Sequence, residues 1–179
     1  MGIGMAVGSQ RAGIEDPSLA GTYRVREVAP DILLLGNLGA VQIAQGYGIE
    51  EAEEAIDMID ADGLGLHFNP LQEAVQPGGD TDFDGTMEAI SALIDGLNYP
   101  VYAKETGAGV GASKAKDMVN AGFDAIDVSG AGGTSWAGVE ALREEAVTSL
   151  GEVFWDWGIP TAVSTTEVSE VVDVPVISS

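Results

Sequence analysis

The sequence has no cysteine and a single histidine, His67, among its 179 residues. Disulfide frameworks and thiolate metal sites are therefore excluded, and so is a metal centre built from several histidines. No apolar run reaches the roughly 18 residues of a membrane span, and the first residues lack the basic region of a signal peptide. These absences predict a soluble protein of a reducing compartment, and we expect it to be cytoplasmic.

Basic residues are also scarce, since seven Lys and Arg face 29 Asp and Glu for a formal net charge of −22. A field of this sign repels nucleic-acid phosphates and anionic membrane surfaces, so neither is an expected partner. The acidic residues spread along the whole chain instead of forming a tail. This pattern predicts a halophilic protein whose surface is adapted to a salt-rich cytoplasm.

Short β-rich runs alternate with helical stretches, and this order predicts a parallel sheet covered by helices in one domain, residues 1–179. The predicted strands are 5–9, 32–37, 64–68, 101–104, 125–129 and 174–178. A weaker seventh candidate is 159–163, because Pro160 would remove a donor from a central strand. Apolar residues at helical spacing predict helices over 49–61, 86–97, 113–121 and 139–150.

The chain length of 179 residues falls short of the roughly 250 that a complete (β/α)₈ barrel needs. A buried-type strand starts almost at once, and the last predicted strand has no loop after it. Buried parallel strands need neighbours on both sides. We therefore expect part of a barrel, with an unusual complete small α/β domain as the alternative.

Polar or glycine-rich clusters follow five of the predicted strands, where parallel α/β folds place their chemistry. The clusters are 8–11, 36–39, 67–73, 104–107 and 129–134. One cluster alone is an ordinary turn, but five favour a shared site. The backbone of 129–134, rich in glycine, suits a phosphate.

Three of these clusters carry the charged and ionisable candidates. Lys104 would hold an anion or an electron-rich ring, or else be a snorkelling surface lysine. Arg11 matches phosphate oxygens, or else pairs with a neighbouring acid, Glu15 or Asp16. Glu73 follows two amide side chains, a donor set that suits Mg²⁺, whereas His67 could also be a satisfied core imidazole.

Taken together, the clusters resemble type 2 isopentenyl-diphosphate isomerase, the FMN-dependent form. The matching stretches are MAVGSQR at 5–11, GNLG at 36–39, HFNPLQE at 67–73, KETG at 104–107 and DVSGAGGTSWA at 127–137. The resemblance runs essentially from end to end, and the third and fifth stretches are long and specific.

The resemblance implies a (β/α)₈ TIM barrel of the FMN-dependent type, present here as a partial barrel without its first and last strands. It also implies a flavoprotein isomerase of isoprenoid biosynthesis that interconverts isopentenyl and dimethylallyl diphosphate by proton transfer. Reduced FMN, Mg²⁺ and NADPH as the reductant would be the cofactors. A homo-oligomer is expected for the full-length protein.

Residue by residue, the resemblance places FMN against Ser9, Asn37, Lys104 and Thr134. Arg11 would bind the substrate diphosphate and Glu73 would ligate Mg²⁺. His67 and Gln72 would be the catalytic residues, both next to the substrate, with Gln72 in the proton path. Neutral Gln72 is too weak an acid to act alone, so we expect it to orient or relay a proton.

The chain departs from the family pattern at both ends. An earlier strand with a basic segment is absent, and the Gly-Gly-x-Arg phosphate loop that would follow residue 179 is absent too. The FMN phosphate site is then incomplete, and we expect the isolated chain to aggregate or to bind flavin poorly. The alternatives are another FMN-barrel oxidoreductase, such as a glutamate-synthase-like enzyme, an inactive fragment, or a non-catalytic phosphate-binding domain.

Overall fold

The computed structural model describes residues 3–143 and 150–179, in which strands and helices alternate along the chain. The strands are β1 (Met5–Ala6), β2 (Leu34–Gly39), β3 (Gly63–Phe68), β4 (Val101–Glu105), β5 (Ala125–Asp127) and β6 (Val176–Ile177). They form one parallel sheet in which each strand pairs with the next along the chain. The predicted parallel α/β architecture is confirmed for this part of the chain.

Helices connect the strands. They are α1 (Arg11–Glu15), a 3₁₀ helix (Pro17–Tyr23), α2 (Ala40–Ala44), α3 (Ile49–Ile59), α4 (Pro70–Val75), α5 (Thr86–Gly96), α6 (Ala112–Asn120), α7 (Trp136–Ala141), α8 (Leu150–Val153) and α9 (Thr161–Ser169). The predictions for α3, α5 and α6 are confirmed to within two residues. The helix predicted over 139–150 is not continuous where it can be followed, since α7 ends at Ala141, and residues 144–149 lie outside the described residues.

Helix α3 shows how the sequence builds these elements. Its buried residues Ala52, Ala55, Ile56 and Ile59 follow the 3.6-residue period and face the sheet. At its start, Glu51 Oε2 accepts a 2.7 Å hydrogen bond from the backbone N–H of Gly48, so the side chain satisfies a donor that the helix leaves free. Burial of the apolar face and this cap together fix the helix against β2 and β3.

The strand register sorts side chains onto two faces. Leu38, Leu66, Ala103 and Ile126 are neighbours across four strands, and all are buried in the apolar core against the helices. The next row, one residue further along each strand, consists of Gly39, His67, Lys104 and Asp127. Because successive side chains alternate between faces, this polar row lies on the other face of the sheet.

The sheet curls around that polar face. Residues that follow β1, such as Ser9, line the same cavity as Lys104 of β4 and Ser179, which follows β6. A flat sheet of six strands would hold its two edges about 24 Å apart, too far to share one cavity. The described residues therefore form a curled parallel sheet that resembles half of a barrel.

Three strand predictions need correction. Strands β1 and β6 were expected to be buried, yet Met5 and Ile177 are exposed, because in the described residues each of these strands has a neighbour on one side only. The seventh strand predicted over 159–163 is wrong. Pro160 makes a single bridge to Ala131, and its carbonyl accepts the N–H of Ser164 at 2.9 Å to begin α9.

Within the described residues, no helix combines the length and the apolar character that crossing a membrane requires.

Candidate functional site

A cavity of about 1010 Å³ opens at the carboxyl ends of the strands, on the inner face of the curled sheet. All of the residues to which the sequence assigns a role line it. They are Ser9, Arg11, Asn37, His67, Gln72, Glu73, Lys104 and Thr134. They meet because parallel strands end at one edge of the sheet. The structure brings the candidates together, and their individual roles remain predictions.

Lys104 is held inside this cavity by a partly buried ion pair. Its Nζ lies 3.4 Å from Asp127 Oδ2 and 3.1 Å from Ser129 Oγ. Asp127 is fixed in turn, because its Oδ1 accepts hydrogen bonds from the Ser129 N–H and the Ser179 hydroxyl. The side chain of Lys104 is only 23% exposed, so this lysine does not snorkel into bulk water.

His67 neighbours Lys104 in the register and is bound to Asn37. Its Nδ1 lies 2.7 Å from Asn37 Oδ1. Burial, and secondarily the positive charge of Lys104, lower the pKa of His67 to about 4, although the nearby Leu38 carbonyl favours the charged form. The imidazole is therefore neutral near pH 7, and it faces the cavity instead of packing as a core residue.

Gly39 makes room for this arrangement. A Cβ at this position would collide with Gln42 Oε1 and would lie 3.2 Å from His67 Nε2. Gln42 is buried and also lines the cavity. A side chain at the end of β2 would therefore take the space that the Gln42 amide fills, next to the His67 ring.

Glu73 is a buried carboxylate surrounded by neutral donors. Its Oε1 accepts from Asn69 Nδ2 at 2.8 Å, and its Oε2 accepts from Gln76 Nε2 and from the backbone N–H of Asp80. Among the described residues no lysine or arginine pairs with Glu73. Its carboxylate therefore has no cationic partner in the part of the chain that the structure describes.

Gln72 reaches a second buried carboxylate. Its Nε2 donates to Glu140 Oε1 over 3.1 Å, and its Oε1 accepts from Asn69 Nδ2 over 3.3 Å. Glu140 lies on α7 and pairs through its other oxygen with Arg143 at 3.0 Å. Both polar atoms of the Gln72 amide are therefore engaged, which fixes its orientation at the cavity wall.

Arg11 lines the cavity and at the same time pairs with Glu15, Nε to Oε1, at 3.0 Å. The sequence left anion binding and pairing with a neighbouring acid open; the structure shows the pair with Glu15, and anion binding stays a prediction. The two side chains are about half exposed. Exposed pairs of this kind contribute about 0–1 kcal/mol, so an anionic ligand would displace Glu15 at little cost.

The glycine-rich loop 129–134 forms one wall of the cavity. Gly132 has a φ of +134°, a backbone conformation that side chains rarely adopt, and Gly133 has open space where a Cβ would be. At the start of the loop, Gly130 packs so close to Thr161 that any side chain would strike its backbone. The loop is thus anchored at one end and leaves its backbone accessible at the other, next to Thr134.

A metal ion would find few protein ligands here. Among the described residues no group of three or more His, Asp or Glu side chains is placed to hold one. Glu73 offers a single carboxylate, which suits Mg²⁺ when water and ligand oxygens complete the coordination shell. The donor set fits a cation that is shared with a phosphorylated ligand.

Sequence reasoning missed Asp127, Gln42 and Glu140 as parts of this site. Asp127 stands within a stretch that matches the family, but nothing in the sequence links it to Lys104. Glu140 lies 68 positions from Gln72. The one feature that could have indicated Glu140 is that its carboxylate lies at a buried position of a short helix. The sequence does not show which face of that helix is buried.

A second cavity, of about 910 Å³, shares no residue with the first and is lined mainly by apolar side chains, including Phe68, Phe83, Met87 and Trp157. Its buried carboxylate, Glu105, accepts four backbone N–H groups from residues 106–109. Burial raises the pKa of Glu105, and these donors partly offset the rise. No residue with a predicted role lines this cavity.

Comparison with known proteins gives close relatives and distant structural neighbours. No protein-family model matches the chain. Solved structures resemble it only weakly. A methylornithine synthase has a TM-score of 0.46 and 14% identity, and the match covers 98% of this chain and 57% of the synthase. A 3-keto-L-gulonate-6-phosphate decarboxylase from Vibrio cholerae has a TM-score of 0.41 and 17% identity, and the match covers 71% of this chain and 50% of the decarboxylase.

Sequence relatives are much closer. A protein of Methanothermobacter thermautotrophicus is 54% identical over 180 residues, covering 100% of this chain and 50% of the relative. A Synechocystis protein is 54% identical, covering 94% and 49%, and a Thermococcus onnurineus protein is 50% identical, covering 100% and 50%. The chain spans about half the length of these curated relatives. Each of these relatives is named isopentenyl-diphosphate delta-isomerase, and this chain is similar to about one half of each.

Proposed function

We propose that this chain carries substrate- and flavin-binding parts of a type 2 isopentenyl-diphosphate isomerase, which interconverts isopentenyl and dimethylallyl diphosphate with reduced FMN and Mg²⁺. The observation that carries the proposal is the single cavity that brings together all eight side chains matched to that family. The name shared by relatives about 50% identical supports the reaction class. NADPH as the reductant and a homo-oligomeric assembly belong to the same proposal.

The residues present fit a flavin at the strand ends. Lys104 supplies one partly buried cation, and the Asn37 amide and the hydroxyls of Ser9 and Thr134 supply neutral polar groups around the same cavity. The open backbone of Gly132 and Gly133 lets a planar ligand approach closely. When bound and reduced, FMN supplies an electron-rich ring system that stabilises developing positive charge on an alkene.

The diphosphate needs local positive charge, because the protein as a whole carries −22. Arg11 would provide paired donors once Glu15 is displaced. Glu73 would hold Mg²⁺, which would compensate the carboxylate's buried charge and bind diphosphate oxygens at once. Both residues line the same cavity, so the two contacts are compatible with one ligand.

Proton transfer to and from an allylic carbon needs an acid or base next to the substrate. Gln72 is held at the cavity wall by Asn69 and Glu140, so it would orient the reacting group and connect it to a carboxylate 3.1 Å away. His67 is neutral near pH 7 and would contact the ligand as a hydrogen-bonding group. Neither side chain alone is a strong acid, which is why the proposal assigns them orientation and relay.

The test is a titration of the 179-residue chain with FMN in molar KCl, followed by anaerobic reduction and an assay with isopentenyl diphosphate and Mg²⁺. Flavin binding with turnover would support the proposal, and turnover should then disappear when Mg²⁺ is chelated. Flavin binding with electron transfer to another acceptor, but no isomerisation, would favour an FMN-barrel oxidoreductase.

Absence of flavin binding to this chain would have two explanations: the proposal is wrong, or binding needs the half of the relatives that this chain does not cover. A second measurement separates them. The same titration is repeated on a protein in which the chain replaces the matching half of the Methanothermobacter relative. Restored binding and isomerisation would support the proposal for the residues of this chain. Failure of a folded chimera, beside an active parent relative, would refute it.

A further inference from the structure

The side chain of Asn37 contacts the imidazole of His67. Asn37 is buried at the end of β2, and its Oδ1 lies 2.7 Å from His67 Nδ1. Its amide orientation is fixed independently, because Nδ2 donates to the Val7 carbonyl at 3.1 Å. The atom facing the ring is therefore the oxygen, which can only accept a hydrogen bond.

The backbone around Asn37 holds this amide in place. Its own N–H donates to Gln10 Oε1 at 2.9 Å, and Gln10 Nε2 donates to the Ala55 carbonyl at 2.7 Å. Gln10 is completely buried, so this chain of bonds connects the end of β2 to helix α3 without competition from water. A rotation of the Asn37 amide would place two acceptors, Oδ1 and the Val7 carbonyl, against each other.

We propose that Asn37 is a positioning residue that keeps the proton of His67 on Nδ1, so that Nε2 is an unprotonated acceptor. A neutral imidazole carries one proton, and only the tautomer with the proton on Nδ1 makes the 2.7 Å contact favourable. The role is additional to any contact that Asn37 makes with a cofactor.

The consequence concerns the ligand group that His67 can bind, and in this respect the inference rests on the proposed function. A bare Nε2 accepts from a hydroxyl, an N–H or a metal-bound water, whereas a phosphate oxygen could approach it only after the ring gained a proton. The charged groups nearby are Lys104, which disfavours that proton, and Asp127, which Lys104 neutralises. The Leu38 carbonyl favours it through a hydrogen bond.

The chain has one histidine, so the proton can be located directly. Long-range ¹H–¹⁵N NMR of the chain in molar KCl without ligand should show a protonated Nδ1 and a bare Nε2 from pH 8 down to pH 5. Asn37→Leu should remove this preference and produce a mixture of tautomers or the opposite one. Asn37→Asp, which keeps an acceptor at the same place, should retain the Nδ1 proton and raise the pKa of the ring.

Asn98→Leu and Asn98→Asp are matched controls, because Asn98 is exposed and precedes β4, at the opposite end of the sheet from the cavity. They should leave the imidazole signals unchanged. A wild-type spectrum with the proton on Nε2 would overturn the proposal, and so would a folded Asn37→Leu variant with the wild-type tautomer. Because the wild-type spectrum decides by itself and needs neither flavin nor turnover, it can succeed or fail independently of the isomerase assignment.

Discussion

Gln72 on α4 donates a hydrogen bond to Glu140 on α7, with Nε2 and Oε1 3.1 Å apart. The contact joins two segments separated by 68 positions and places a buried carboxylate directly behind an amide of the cavity wall. Because Arg143 holds the other oxygen of Glu140, the carboxylate is oriented from both sides.

Replacing Gln72 should reduce both stability and isomerisation. Gln72→Ala leaves Glu140 buried with one partner fewer, which should lower the free energy of unfolding by about 1–3 kcal/mol. Loss of the oriented group should lower turnover by about 10²-fold, the lower range for proton-transfer groups. Urea unfolding and the isomerase assay measure the two effects. Gln45→Ala, an exposed glutamine, is the control, and near-normal turnover of Gln72→Ala would contradict the assigned role.

Glu140→Gln separates orientation from proton transfer. The variant keeps the size of the side chain and an oxygen that accepts from Gln72, but it cannot bind a proton near neutral pH. If the carboxylate takes part in the relay, turnover in the isomerase assay should fall. Turnover like that of the wild type would show that Glu140 serves only to position Gln72. We expect the first outcome, because a buried carboxylate held by charge-assisted bonds is costly to keep for positioning alone.

Lys104→Met should weaken flavin binding. The substitution removes the partly buried cation of the cavity wall while keeping its apolar stem, and it leaves Asp127 without its ion-pair partner. We expect the dissociation constant of FMN to rise at least about tenfold, which corresponds to about 1.4 kcal/mol. Fluorescence titration measures it. The control is Lys116→Met on α6, an exposed lysine that should leave the affinity unchanged.

Much of the architecture is predictable because it depends on local patterns. Helix α3 follows from the period of Ala52, Ile56 and Ile59, and its predicted and observed ranges differ only at the end. The strand ends follow from polar residues placed directly after apolar runs, such as Lys104 after Val101. Since parallel strands end at one edge, strand order alone brings these residues together.

The remaining features depend on contacts that no local pattern encodes. The pairing of Lys104 with Asp127 needs the register of β4 against β5, and the position of His67 beside Gly39 needs the register of β2 against β3. The wrong strand prediction at Pro160 has the same origin. The residues around Pro160 favour a strand. Proline, however, lacks the backbone N–H that a central strand needs, and its carbonyl accepts the first hydrogen bond of α9.

The pH dependence of stability should reflect His67. Its folded pKa of about 4 lies below the ordinary value of 6.5, so between these values the unfolded chain binds more protons than the folded one. The contribution of His67 to the free energy of unfolding is therefore complete above pH 6.5. It decreases by up to roughly 3 kcal/mol as the pH falls toward 4. Urea unfolding from pH 4.5 to 7 measures the slope. His67→Gln should show a shallower slope, and an equal slope would contradict the lowered pKa.

Tyr102 and Gly65 offer a test of packing on the inner face of the sheet. The Tyr102 hydroxyl is buried and has no hydrogen-bond partner in the described residues, so Tyr102→Phe should raise the free energy of unfolding by about 1 kcal/mol. Gly65→Ala should lower it, because the new Cβ would lie 2.5 Å from the Tyr102 ring. The double variant should remain destabilised, since the ring itself causes the clash. Chemical unfolding of the three variants checks the order.

The charge of −22 predicts how the melting temperature depends on salt. In dilute buffer the acidic surface repels itself over about 10 Å or more, and molar KCl shortens this range to about 3 Å. The melting temperature should therefore rise between 0.1 M and 2 M KCl, and the rise should be much smaller at pH 4, where many carboxylates are protonated. Sucrose at matched osmolarity is the control for solvent exclusion. A melting temperature that does not respond to KCl, or responds equally to sucrose, would refute adaptation to a salt-rich cytoplasm, because screening of like charges would then contribute nothing to the stability of the fold.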